Sequence, residues 1–150
     1  MCLSWIGWRI CATNDEASAK RSGLTEAKTI LVDGNTGSYG RPEWLSPKSF
    51  FRQEFPDIEI IIDLTCNVAA NQAKGWKIDY LHIDADRSFR GAYQDFKDYL
   101  PFMNPGGIIT LHDTRGGLPC AQLANVIREK GYEVINFANL GSGVAVIHLP

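Results

Sequence analysis

Short apolar runs rich in β-branched residues recur along this chain at residues 29–33, 58–63, 78–84, 108–113, 132–137 and 143–149. Between them the spacing of apolar positions changes to the three-and-four rhythm of helices. Phe89, Tyr93, Phe96 and Leu100 form one such stripe, which predicts a helix with Asp95, Lys97 and Asp98 facing outward. That helix should end before Asn104-Pro105-Gly106-Gly107, a strong breaker. Ser46-Pro47 reads as an N-cap followed by proline in the first helical position, opening a short helix through Phe55. Pro119 starts another, with Leu123, Ala124 and Ile127 inward and Gly131 as its stop. Strands alternating with helices predict βαβ units and a doubly wound, mostly parallel α/β sheet. The near-continuous apolar runs IEIII and GIITL suit strands covered on both faces. The last two strands, joined by Ala-Asn-Leu-Gly-Ser, read as an antiparallel hairpin that closes the sheet with an antiparallel last strand.

A chain of 150 residues is enough for one domain and too short for two ordinary ones, so residues 1–150 are expected to form a single unit. Its 45% hydrophobic and 21% charged content is that of a soluble globular domain. A net charge of -2, with no basic cluster longer than Lys20-Arg21, argues against nucleic acid as a partner. No apolar run approaches the roughly 20 residues that cross a bilayer, and no membrane partner is expected. Residues 1–8 lack the basic start and cleavage site of a signal peptide. Cys2, Cys11, Cys66 and Cys120 are widely spaced, which suggests thiols in a reducing cytoplasm.

Candidate chemistry gathers at the strand ends. Asp33, Asp63, Asp84 and Asp113 each close an apolar run, and ligands of open α/β sheets bind outside the carboxyl ends of the strands. One such acid would be a simple helix or turn cap. Four converging on one rim are costly unless a cation or a donor-rich ligand binds there. The Gly-rich, aperiodic segment 33–44 (DGNTGSYGRPEW) should be a loop beside that rim, where Tyr39 and Trp44 can line an acceptor pocket or simply pack. His82, inside a strand, reads as a satisfied core residue.

The densest stretch is KIDYLHIDADRSFRGAYQDFKDYLPFMNPGGIITLHDT, residues 77–114. It resembles the C-terminal half of class I S-adenosylmethionine-dependent methyltransferases, in the small-molecule O-methyltransferase branch whose pattern is roughly IDxxHIDgDHsyegvxxDlxxwlpxLxpGGxixxHDt. ILVDGNTGSYGRPEW is similar to that family's second strand and loop, and residues 58–71 to its third strand and helix. The resemblance implies a Rossmann-like methyltransferase fold, S-adenosylmethionine as cofactor and a small-molecule hydroxyl acceptor such as a sugar or polyol. It also implies that Asp33 holds the cofactor ribose, that Thr65 lies near the adenine, and that Asp84 lies near the cofactor. In metal-using relatives the ends of the fourth and fifth strands ligate Mg²⁺, which here implies Asp84, His112 and Asp113. Adjacent parallel strands are about 4.8 Å apart, so Asp84 and Asp113 can share one cation on neighbouring strands. Such a cation would lower the acceptor's pKa, although imidazole is a poor ligand for Mg²⁺.

Two departures qualify the resemblance. The family's His after IDxD, suited to general-base work, is Arg87 here, which stays protonated and is expected to pair with Asp84 or to bind an anionic acceptor. The family's ExGxxxGxS/T loop aligns with residues 5–13. Gly7 and Thr13 fit that loop, but Trp5 replaces the acid and Cys11 the second glycine. The chain therefore reads as N-terminally shortened, with a worn cofactor loop at Gly7. The expected function is methyl transfer to a hydroxyl, with Asp84, Arg87 and His112 around the reacting groups. The competing reading is a degenerate methyltransferase fold that binds or forms a homo-oligomer without turnover. A nucleotide-binding oxidoreductase is disfavoured because no GxGxxG follows a strand.

Overall fold

Alternation in the apolar runs becomes one buried face of a sheet. The computed structural model describes residues 29–34, 53, 56 and 59–150. Strands β1 (Ile30–Val32) and β2 (Glu59–Ile61) pair in parallel. A second sheet contains β3 (Ile78–Ile83), β4 (Met103–His112), β5 (Glu133–Phe137) and β6 (Val144–His148), in the order β3-β4-β6-β5. Strands β3 and β4 are parallel, while β6 runs antiparallel to both β4 and β5. The expected antiparallel last strand is therefore present, and it lies inside the sheet rather than at its edge. The segment aligned with the family's cofactor loop at 5–13 and the helix expected from Ser46 to Phe55 lie outside the described residues, apart from Gln53.

Among the described residues, α1 (Thr65–Asn71), α2 (Phe89–Tyr99) and α3 (Pro119–Glu129) follow β2, β3 and β4. Pro119 stands in the first turn of α3, as its fixed φ and missing N–H favour. Leu123, Ala124 and Ile127 are fully buried there. Ser88 caps α2 by accepting from the Gly91 N–H at 3.0 Å, and Asp86 accepts from the Ser88 N–H at 2.9 Å. Leu81, Ile83, Ile109, Leu111, Ala145 and Ile147 form the sheet's buried face. They share one core with the three helices and with Ile30 and Val32 of the smaller sheet. The opposite face of β3 and β4 carries polar side chains: Tyr80 and His82 from β3, Thr110 and His112 from β4.

Two local expectations are corrected. Asp95 does not face outward: it is 4% exposed, because the inward stripe of α2 runs through Ala92, Asp95, Phe96 and Tyr99. The helix ends before Asn104–Gly107 as expected, but the strand expected to start at Ile108 begins at Met103 and takes the breaker into β4. Ile78 pairs with Met103 and Tyr80 with Ile108, so residues 104–107 bulge opposite Asp79 alone. Asn104 Nδ2 closes the bulge by donating to Asp79 Oδ1 at 2.7 Å.

Past β4 the chain turns sharply. Asp113 adopts φ 55°, the left-handed region that Asp tolerates better than most residues. The β5–β6 turn packs directly on this corner: the Arg115 N–H donates to Ser142 O at 2.8 Å and the Thr114 N–H to Gly143 O at 3.3 Å. Gly143 (φ 88°) makes this approach feasible, since a Cβ there would lie 2.6 Å from the Thr114 carbonyl carbon. Gly143→Ala is expected to destabilise the fold by roughly 1–3 kcal/mol through backbone strain and overlap. Thermal denaturation should show a melting point lower by several degrees; an unchanged one would mean that the two turns are not in close contact.

Candidate functional site

Parallel pairing places the strand-end acids in two pairs. Asp33 and Asp63 follow β1 and β2, and Asp84 and Asp113 follow β3 and β4. Asp63 is engaged locally, just before α1. Its Oδ1 accepts from the Leu64 N–H at 2.7 Å and from Asn67 Nδ2 at 2.8 Å. Asp33 is 3% exposed, and its backbone N–H donates to Ile61 O at 3.0 Å.

The second pair belongs to a denser group. His112, the last residue of β4, sets Nδ1 at 3.1 Å from Asp84 Oδ1 and 3.3 Å from Asp113 Oδ1. Its Nε2 lies 2.9 Å from Ser142 Oγ. Arg87 Nε lies 2.8 Å from Asp113 Oδ2, so the pairing expected with Asp84 is made with Asp113 instead. The Arg87 side chain is 65% exposed, and this ion pair sits at the mouth of the group rather than beneath it. One ligand atom each from Asp84, His112 and Asp113 fall within 4.8 Å of one another. Carboxylate oxygens only accept, so the proton of a neutral His112 ring belongs on Nδ1, which leaves Nε2 to accept from the Ser142 hydroxyl. Ser142 carried no recognisable signal in the sequence; it arrives on the β5–β6 turn.

The polar face of the sheet continues below. Thr110 Oγ1 lies 2.8 Å from His82 Nδ1 and 2.9 Å from the Tyr80 hydroxyl, and the His82 ring meets His112 edge-on at 6.3 Å. His82 is thus a satisfied histidine, as expected, and burial lowers its pKa. Burial also pushes the Cys120 thiol up to about 11, which leaves it a poor nucleophile.

Thr65 belongs to a separate network at the start of α1. Its carbonyl accepts from the Tyr99 hydroxyl at 2.8 Å, and its side chain hydrogen-bonds Asp95. Burial is the main cause that raises the Asp95 pKa from 3.8 to about 7, opposed by the bond to Thr65 and assisted by Asp98 and Asp86. Gly7 and Cys11 lie outside the described residues, as do Tyr39 and Trp44. Among the described residues no helix is long and apolar enough to cross a membrane.

A family profile described as a methyltransferase domain matches residues 8–114. Several solved structures share the fold at low identity. A Staphylococcus aureus protein assigned as a caffeoyl-CoA O-methyltransferase is 15% identical, with TM-score 0.57, over 88% of this chain and 68% of that one. A Bacillus cereus O-methyltransferase in complex with SAH is 15% identical, with TM-score 0.58, over 85% and 66%. A Clostridium thermocellum protein assigned as an rRNA methylase is 14% identical, with TM-score 0.57, over 95% and 87%. The chain thus spans about two thirds of the length of these two O-methyltransferase structures. No curated protein matches the sequence.

Asp95 yields a pH prediction. The folded state favours its neutral form, so folding takes up a proton between pH 3.8 and about 7, and stability falls as pH rises through that window. Asp95→Asn keeps a hydrogen-bonding group beside Thr65 and removes the titration. The melting temperature of the variant minus that of the wild type should grow from pH 4 to 7 and then level off. A difference that is flat with pH would show that Asp95 titrates normally.

Proposed function

This chain belongs to the methyltransferase domain family, and we propose that it transfers the methyl group of S-adenosylmethionine to a hydroxyl of a small molecule. The observation that carries this reading is the His112 group. It holds a histidine at the ends of β3 and β4 with two carboxylates on one ring nitrogen and a hydroxyl on the other. When bound, the cofactor supplies an electrophilic methyl on a sulfonium. The chain's residues supply the proton acceptor: Nε2 of His112 takes the acceptor's proton, and Asp84 and Asp113 stabilise the resulting imidazolium. His112 thereby fills the role left open by Arg87, which neutralises the second oxygen of Asp113. In this reading Asp33, at the end of β1, accepts the ribose hydroxyls, and Thr65, held by Asp95, borders the adenine. Gly7 is the proposed close-approach residue of the cofactor loop.

Mg²⁺ does not fit this group. It takes oxygen ligands in an octahedron, whereas one of the three donors here is an imidazole. Arg87 and His112 moreover already contact three of the four carboxylate oxygens. The O-methyltransferase likenesses favour a small-molecule hydroxyl. The rRNA-methylase likeness would favour RNA, which the net charge of -2 opposes. The Arg87–Asp113 ion pair supports a second reading, a cofactor-binding module without turnover, in which that pair seals the site.

Calorimetry with S-adenosylhomocysteine tests the cofactor assignment. Binding is expected, and Asp33→Ala should weaken it about 10- to 100-fold, the range for charge-assisted hydrogen bonds. Absence of binding to the wild type would overturn the reading. Transfer of labelled methyl to catechol and to methyl glucoside should persist within twofold in EDTA. Turnover that is abolished by EDTA and restored by Mg²⁺ would return the metal-dependent mechanism. Binding without transfer to either probe would favour the module.

A further inference from the structure

We propose that Ser142 is a catalytic proton relay, through which the acceptor hydroxyl reaches His112; this rests on the methyl-transfer reading above. Nε2 of a neutral imidazole has one lone pair, and in this structure it faces Ser142 Oγ at 2.9 Å. With Nδ1 committed to Asp84 and Asp113, the serine hydroxyl donates to Nε2 and keeps its own lone pairs for another donor. Ser142 is half-buried. The arrangement of hydroxyl, imidazole and carboxylate is that of a nucleophile–base–orienter set, recognised by geometry and not by chain order.

The surrounding backbone shows why this serine is held in register. Its carbonyl accepts from the Arg115 N–H at 2.8 Å, and the Gly143 N–H closes the turn onto Leu140 O at 2.8 Å. Thr114 and Asn136 brace the same corner: Thr114 Oγ1 donates to Asn136 Oδ1 at 2.8 Å, and Asn136 Nδ2 donates to Thr114 O at 3.2 Å. Ser142 also lies beyond residues 8–114, the part matched by the family profile. Its role is therefore drawn from the packing of this chain's own terminal hairpin.

In the reaction the acceptor O–H donates to Ser142 Oγ. As the acceptor oxygen bonds to the methyl carbon and the carbon–sulfur bond breaks, the acceptor proton moves to Ser142 and the serine proton to His112 Nε2. The products are the methyl ether, S-adenosylhomocysteine and a His112 imidazolium, which then loses its proton to water. Serine is regenerated and no covalent adduct forms.

Two measurements decide the proposal. Nitrogen-15 NMR of the full chain, at a pH where His112 is neutral, should show the Nδ1–H tautomer. The Nε2 resonance should move in Ser142→Ala and stay near its wild-type position in Ser142→Thr. An Nε2–H tautomer would overturn the relay, because that nitrogen would then be a donor to serine. In transfer to catechol, Ser142→Ala should lower kcat roughly 10- to 100-fold with KM within twofold, since it removes part of a general-base contribution. Ser142→Thr should recover most of the rate, and Ser142→Ala should add nothing in a His112→Ala background. Additive losses in that cycle, or an unchanged kcat in Ser142→Ala, would also overturn it. The NMR result needs neither cofactor nor acceptor, so it stands even where catechol is not methylated. A His112→Ala variant with undiminished transfer would instead sink the parent reading of His112 as base.

Discussion

Two turns in backbone contact, one after β4 and one between β5 and β6, fix how Asp113 and Ser142 converge on His112. The N–H groups of Thr114 and Arg115 donate to the carbonyls of Gly143 and Ser142, and the approach is close enough that only a glycine fits at position 143. Asp113 enters the corner with φ 55°. A conformation of that kind persists where the surroundings over-determine it, and such residues tend to cluster at functional sites. Because β6 lies between β4 and β5, its leading turn arrives beside the end of β4 and not at the far edge of the sheet. Strand order and backbone contact together bring a serine from residue 142 to a histidine at residue 112.

The charges in the group are balanced internally. Two carboxylates converging at the ends of adjacent parallel strands would repel, yet Arg87 takes one oxygen of Asp113 and His112 bridges the other to Asp84. Arg87 is thus part of the electrostatic balance of the group, as the positive charge beside Asp113. His112 keeps one face for carboxylates and the other for a hydroxyl, an asymmetry that suits a base.

A second polar network ties helices rather than strand ends. Asp95, buried on the inward face of α2, bonds the side chain of Thr65, while Tyr99 one turn later bonds the Thr65 carbonyl. The start of α1 is thereby clamped to α2 by two side chains, and a carboxyl that titrates near neutrality is the cost of that clamp.

Local chemistry alone determined much of this protein. The α/β class, the four described strand runs that end in acids, the proline start of α3, the terminal hairpin and the family itself were all readable. Each depends on periodicity, turn chemistry or a contiguous motif. Asp84, His112 and Asp113 were readable as neighbours because adjacent parallel strands bring their ends together. Tertiary structure decided the rest. Asp95 looked solvent-facing because charge predicts exposure on average, whereas the helix stripe that carries it was set by which face met the core. The Asn104–Gly107 breaker did mark the end of the helix, but pairing with β3 also absorbed it into the following strand as a bulge. Arg87 chose Asp113 over Asp84, and Ser142 reached His112, because side-chain partners across 26 and 30 residues are fixed by strand order and by the approach of two turns, neither of which a local pattern encodes.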